Sequence, residues 1–427
     1  MATHRFWIVP CLCTCLWFGS LSGIARTEAG PQMGLVAAGT GWIVQNQSVG
    51  ASSDDQLFWT SDDGNNWKDI TPRDPASRQI AGVFFLDDFR GWVLLALKHE
   101  RPKNPQEPDN FITDIRGFDI ASTIDGGASW TIKSLAVLPE GVGWTSAAQI
   151  FFLDPVHGWM NIESPVPHWG GEGVLLATTD GGNTWKEIVE VNGGGGYGAI
   201  RFTDPQNGWI AGGPGDQYLY ASNDGGRHWK EAGVPDPTAI SGLFENVAAQ
   251  YVLPWFKDSK HGFLSVEYSG EVKSGEDISI QALFSTNDGG SVWHLESWGK
   301  LEPTSNFPVV AVVDSTALAA KRVGHEPATL LKLGLAGKLT ETRPVESLVV
   351  STGAAPLSLK FSDATHGWAS SSDGRLLSTV DGGETWKDRT PRRKKVSMQP
   401  ESSPGNSNGS TLQSSLVPSV LARVPSQ

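Results

Sequence analysis

The chain has 427 residues, with 50 Gly, 26 Pro and 18 Trp but only 19% charged residues. That composition excludes a helical bundle or coiled coil, which draws on Ala, Glu, Lys and Leu, and points to many short strands and tight turns. A net charge of −13 excludes a nucleic-acid binder, because neutralising phosphates takes clustered Lys and Arg.

The first element in chain order is a leader. Arg5 precedes the apolar run from Phe6 to Gly19, and Gly23-Ile24-Ala25 supplies a small-residue exit. This pattern predicts a secretory signal peptide over 1–25. The run is too short for a membrane-crossing helix, so no transmembrane segment is expected in the mature chain. Cys11, Cys13 and Cys15 all fall inside the leader. The mature protein is therefore expected to be exported, to the periplasm or the cell exterior, and to hold its shape without disulfides.

From 33 to 391 the chain repeats itself. Six segments share Ser/Thr-x-Asp-x-Gly-x-x-Trp: Thr60–Trp67, Thr123–Trp130, Thr178–Trp185, Ser222–Trp229, Thr286–Trp293 and Thr379–Trp386. Their aspartates are Asp62, Asp125, Asp180, Asp224, Asp288 and Asp381. A second pattern, Phe-x-Asp-x-x-x-Gly-Trp, occurs at Phe85–Trp92, Phe152–Trp159, Phe202–Trp209 and Phe361–Trp368, with Phe256–Phe263 a variant and Gly41-Trp42 a remnant. The interval from Asp288 to Asp381 is nearly double, and a degenerate copy over about 306–345 fills it. There Val309–Val313 and Ala317–Lys321 read as strands.

Seven units of about 51 residues match four-stranded propeller blades. In the third unit Ala148–Leu153, Gly158–Ile162, Gly173–Thr178 and Thr184–Val189 read as successive strands, joined by Gly-rich turns. The predicted fold is all-β, a seven-bladed β-propeller of four-stranded antiparallel blades closed by Asp-box hairpins.

The box is the last turn of each blade. Asp180 is placed to accept backbone N–H bonds across the hairpin, Gly182 to take a positive φ, and Trp185 to pack over the turn. A residue repeated in six of seven blades faces six equivalent places, whereas a catalytic centre is asymmetric. The box aspartates are therefore read as turn staples and the repeated tryptophans as core and inter-blade packing. No catalytic residue, metal ligand or cofactor is assigned: the chain has no H-E-x-x-H, no paired Cys or His cluster and no P-loop. Gly193–Gly196 lacks the Lys and following helix of a phosphate loop.

Up-and-down blades put both repeated turns on one face and the irregular segments on the other. Lys98–Ile112, Pro165–Gly173, Gly212–Gln217 and Glu267–Glu276 gather there, with the linkers Leu138–Trp144, Asn192–Gly198 and Asp236–Asn246. Long loops on a rigid scaffold concentrate binding. The aromatic candidates are Trp144, His168, Trp169, Tyr197, Tyr218 and Tyr268. Removing Trp169 is expected to weaken partner binding and leave folding intact. An acidic, aromatic face suits a polypeptide or carbohydrate. After Pro391, Arg392-Arg-Lys-Lys395 opens a Ser- and Pro-rich tail, 392–427, expected to be disordered.

The six boxes resemble those of the Asp-box (BNR-repeat) propellers. Together with the Phe-x-Asp-x-x-x-Gly-Trp half, over about residues 35–390, they resemble the photosystem II stability/assembly factor family and, more distantly, sialidase-type propellers. The resemblance implies a monomeric, non-enzymatic assembly chaperone or interaction scaffold. Its partners would be proteins, among them membrane-complex subunits or precursors, and its place the thylakoid lumen where the host is photosynthetic. The alternative is a secreted sialidase-like glycoside hydrolase or carbohydrate-binding propeller. Sialidases carry an Arg-Ile/Leu-Pro element before the first boxes. None lies upstream of Asp62, and Thr71-Pro-Arg-Asp-Pro75 follows the box in the wrong order. The five tyrosines, Tyr197, Tyr218, Tyr220, Tyr251 and Tyr268, offer no evident nucleophile beside a Glu. A glycosidase carboxylate pair stays available among Glu140, Glu172, Asp216, Glu245, Glu271 and Glu326.

Overall fold

Alternating side chains and glycine turns give each repeat four short strands, and the computed structural model shows them paired. It describes residues 32–45, 55–73, 78–104, 107–135, 148–163, 173–190, 198–212, 218–234, 238–301, 309–313, 315–321, 329–335, 339–341, 356–371 and 374–392. Among these residues the strands form seven antiparallel sheets, each running in chain order from its inner to its outer strand. The blades span 33–69, 78–134, 148–190, 198–231, 248–301, 309–341 and 356–388. The inner strands of blades 1 and 2, 2 and 3, 3 and 4, 6 and 7, and 7 and 1 lie against one another, which makes a seven-bladed propeller. Blade 5 splits its inner position between Ala248–Tyr251 and Trp255–Phe256, both paired with Gly262–Glu271. Blade 6 keeps four strands, Val309–Val313, Thr316–Lys321, Thr329–Gly334 and Leu339–Glu341, without a box Asp or Trp. The strands lie within one compact unit that ends at Pro391. The leader over 1–25 and all but Arg392 of the tail lie outside the described residues.

Two segments expected as irregular loops are instead extended hairpins. Gly91–Asn104 and Glu107–Thr123 pair from Lys98↔Ile115 to Asn104↔Glu107, with a register shift between Pro102 and Asn104, so 98–112 is mostly ladder. In blade 5 pairing continues to Glu271↔Asp277, leaving only 272–276 as the turn. Antiparallel extension gives the backbone donors and acceptors partners that a loop would seek from water. Pro102, opposite Phe111, is tolerated because a two-stranded ribbon has free edges. Ahead of blade 5 a four-residue helix, Thr238–Ser241, buries Ile240 completely.

The core lies between blades, and the two motifs build it. The Trp of the second motif lies flat on the Phe of the next blade: Trp92 on Phe152 at 3.5 Å and 7°, Trp159 on Phe202 at 3.6 Å and 7°. Its indole N–H donates to the next box, from Trp92 to the Gly181 carbonyl at 2.9 Å and from Trp159 to that of Gly225 at 3.2 Å. Two of the box tryptophans reach backwards. Trp130 donates to the Ile70 carbonyl at 2.9 Å, and Trp67 to that of Arg389 at 2.7 Å. Large apolar rings with one polar atom suit such seams.

Among the described residues blade 1 is built from 33–69 and blade 7 from 356–388, and the ring closes with no strand exchanged between them. Closure rests on side chains. Trp67 and Trp368 meet at 5.8 Å. Trp368 Nε1 donates to Asp63 Oδ1 at 3.3 Å, and Ser378 Oγ to Asp63 Oδ2 at 3.1 Å. Gln45 Nε2 reaches the Pro391 carbonyl at 3.4 Å. Asp63 stands where the other boxes carry their first Gly, and among the described residues it is the non-glycine with positive φ, 59°.

Candidate functional site

Both repeated turns share one face and are joined to each other. The first Gly of a box donates its N–H to the second-motif turn of its own blade, Gly126 to Phe89 at 2.9 Å and Gly181 to Val156 at 3.0 Å. Inside the third box Asp180 Oδ1 accepts from Thr178 Oγ1 at 2.8 Å and from the Thr184 N–H at 2.9 Å, while Oδ2 accepts from Thr184 Oγ1 at 2.7 Å. The two Oδ1 bonds recur at Asp62, Asp125, Asp224, Asp288 and Asp381. These bonds favour the ionised form. Bonds from the Ser129 hydroxyl and N–H hold Asp125 at about 2, and those from Thr184 do the same for Asp180. The aspartate of the second motif is a staple too: Asp154 Oδ1 takes the Val156 and His157 N–H groups at 2.8 Å each. Its signal was the fixed interval from that Asp to the two residues that bond it. Tips of this face carry exposed apolar side chains, Phe89 at 64%, Ile124 at 83% and Val156 at 44%.

On the opposite face Trp144, His168, Trp169 and Tyr197 lie outside the described residues. Tyr218 is half-buried and stacks on Tyr220 at 5.8 Å. Tyr268, expected to be presented to a partner, is only 3% exposed and packs in the core between blades 4 and 5. Ile240 of the Thr238–Ser241 turn and Ile278 and Ile280 of the lengthened hairpin share that core, so Tyr268 is not presented beside Tyr218. Glu267 beside it is also buried, and desolvation raises its carboxyl to about 7. Its cross-strand neighbours are Gln250 and Gln281, so the register sets amides beside it and no second carboxylate. Among the described residues no group of His, Cys, Asp and Glu is arranged to hold a metal ion.

The inner wall departs from repetition. The residue opposite the Trp of the Gly-Trp pair, or its equivalent, occupies one level in every blade: Gly34, Phe84, Phe151, Arg201, Trp255, Val312 and Lys360. Phe84 and Phe151, from neighbouring blades, meet edge to face at 5.4 Å. Arg201 Nη1 donates to the Pro254 carbonyl of blade 5 at 3.3 Å. This level went unread in the sequence, although its signal, the residue just before each motif Phe, was there.

No protein-family model matches the chain, and no curated protein does. Solved structures match. YCF48 bound to D1 peptide is 16% identical over 74% of this chain and 83% of that one, with a TM-score of 0.42. YCF48 from Cyanidioschyzon merolae is 16% identical over 74% and 86%, with a TM-score of 0.43. A PL25 ulvan lyase bound to -[GlcA(1-4)Rha3S]- is 12% identical over 75% and 82%, also at 0.43. The common ground is the propeller fold.

Proposed function

We propose that this protein is an exported, non-enzymatic propeller that binds polypeptides, an interaction scaffold or assembly chaperone of the kind its motifs resemble. The observation that carries this reading is on the motif face. The carboxylates of its turns are held in turn-stapling hydrogen bonds, while Phe89, Ile124 and Val156 stand exposed on adjoining tips of blades 2 and 3. Exposed apolar side chains on a rigid frame are recognition anchors for a polypeptide.

The test is selection of displayed peptides on the full chain, beside a panel of fluorogenic glycosides and sialosides. A shared peptide pattern is expected, with saturable binding weakened about tenfold or more by Phe89→Asp or Ile124→Glu. Turnover of a glycoside by the purified chain, or peptide binding indifferent to both substitutions, would overturn the reading.

A further inference from the structure

The inner wall carries two cations and nothing opposite in sign at their level. Arg201 belongs to the inner strand of blade 4 and Lys360 to that of blade 7. Blades 5 and 6 separate them on one side and blades 1, 2 and 3 on the other, so they approach one another only across the axis. The register sets both at one level of the wall; desolvation lowers the Lys360 ammonium, and repulsion from Arg201 lowers it further. Desolvation lowers Arg201 as well. Lys360 is open to solvent, as befits a side chain on the wall of an open channel. The other members of the level are Gly34, Phe84, Phe151, Trp255 and Val312, none of which can neutralise a cation. Among the described residues no carboxylate pairs with either cation, and the one polar contact described is that of Arg201 with the Pro254 carbonyl.

Two like charges facing one another across a confined channel repel and lose part of their hydration, a standing cost to the fold. An oxyanion between them removes both penalties. A guanidinium presents paired donors to a carboxylate or phosphate, and an ammonium supplies a compact second charge. We propose that the central channel is an oxyanion-binding site, in which Arg201 and Lys360 grip a carboxylate or phosphate group from opposite sides and Phe84, Phe151 and Trp255 pack on the apolar body that carries it. The site is independent of the polypeptide surface on the motif face.

The full chain is titrated by calorimetry and by thermal shift with inorganic phosphate, benzoate, phenyl phosphate, N-acetyl-Phe-Glu-amide and, as neutral control, benzamide. Saturable binding of at least one anion is expected, with none for benzamide, and a loss of about tenfold or more in Arg201→Gln or Lys360→Met. Preference for phosphate alone, for ring-bearing anions or for the peptide identifies the source of the group. In anion-free buffer Lys360→Met is expected to melt above the parent chain, because it removes a repelled charge and keeps the volume. Should Arg201→Gln fail to fold, Lys360→Met carries the test alone. Absence of anion binding, binding unchanged by the substitutions, or a lower melting temperature for Lys360→Met would overturn the proposal.

Discussion

Glu267 shows how burial turns one carboxylate into a pH-dependent liability. Its folded value, about 7, lies above the ordinary 4.5. Such a group favours the fold fully below 4.5, and that contribution is lost as pH rises through 7, because only the unfolded chain ionises freely in between. At pH 8 Glu267→Gln is expected to unfold at higher urea than the parent, by at most about 3 kcal/mol. At pH 4 the two should coincide. Equal midpoints at pH 8 would show the carboxyl to be hydrated. Nothing in Val266-Glu267-Tyr268 announced this, since Glu267 opens a stretch that reads as an irregular loop. Both sides of that strand are covered in blade 5, by contacts distant in sequence.

The Asp-box hairpin behaves oppositely. Asp125 and Asp180, held at about 2 against an ordinary 3.8, contribute stability that is present above 3.8 and lost as pH falls through about 2. Stability should therefore decline on the acid side below pH 4, while Glu267 erodes it on the alkaline side above 4.5. A flat denaturation midpoint from pH 4 to 2 would contradict the staple role. Asp180→Ala, which deletes three accepted bonds at the hairpin tip, is expected to cost about 1 kcal/mol in chemical denaturation. This hairpin was legible because its stapling chemistry is local, with every described side-chain partner of the aspartate within four residues. The long ladders of blades 2 and 5 were not, since charge and proline along Lys98–Ile112 look like loop until the second arm supplies the pairing. The channel level escaped for the same reason: single residues from different blades converge there through ring geometry alone.

In the whole molecule six of the seven seams have a covalent link between blades, and the seam of blades 7 and 1 has none. There Asp63 breaks the glycine rule at φ 59° and places its carboxylate on Trp368 and Ser378. Asp63→Ala keeps the strained backbone and loses both bonds, for an expected loss of about 2 kcal/mol. Asp63→Gly relieves the strain and frees a box carbonyl like those of Gly181 and Gly225 for the indole, so its melting temperature should stay near the parent's. Alanine and glycine variants melting alike would remove Asp63 from closure. Six boxes and one widened interval were enough to count the blades, but how the ring shuts was not legible. Closure depends on residues that are more than 300 positions apart.

A ring whose described closure runs through side chains has no privileged starting blade. A circular permutant joining 391 to 33 through about eight residues, the length of the existing connection between Asp69 and Arg78, and opened between 74 and 77, would move the chain break to the seam of blades 1 and 2. The Asp63 latch would then sit beside a covalent bridge and become dispensable, while Trp130 and Ile70 would inherit the task of holding the ring shut.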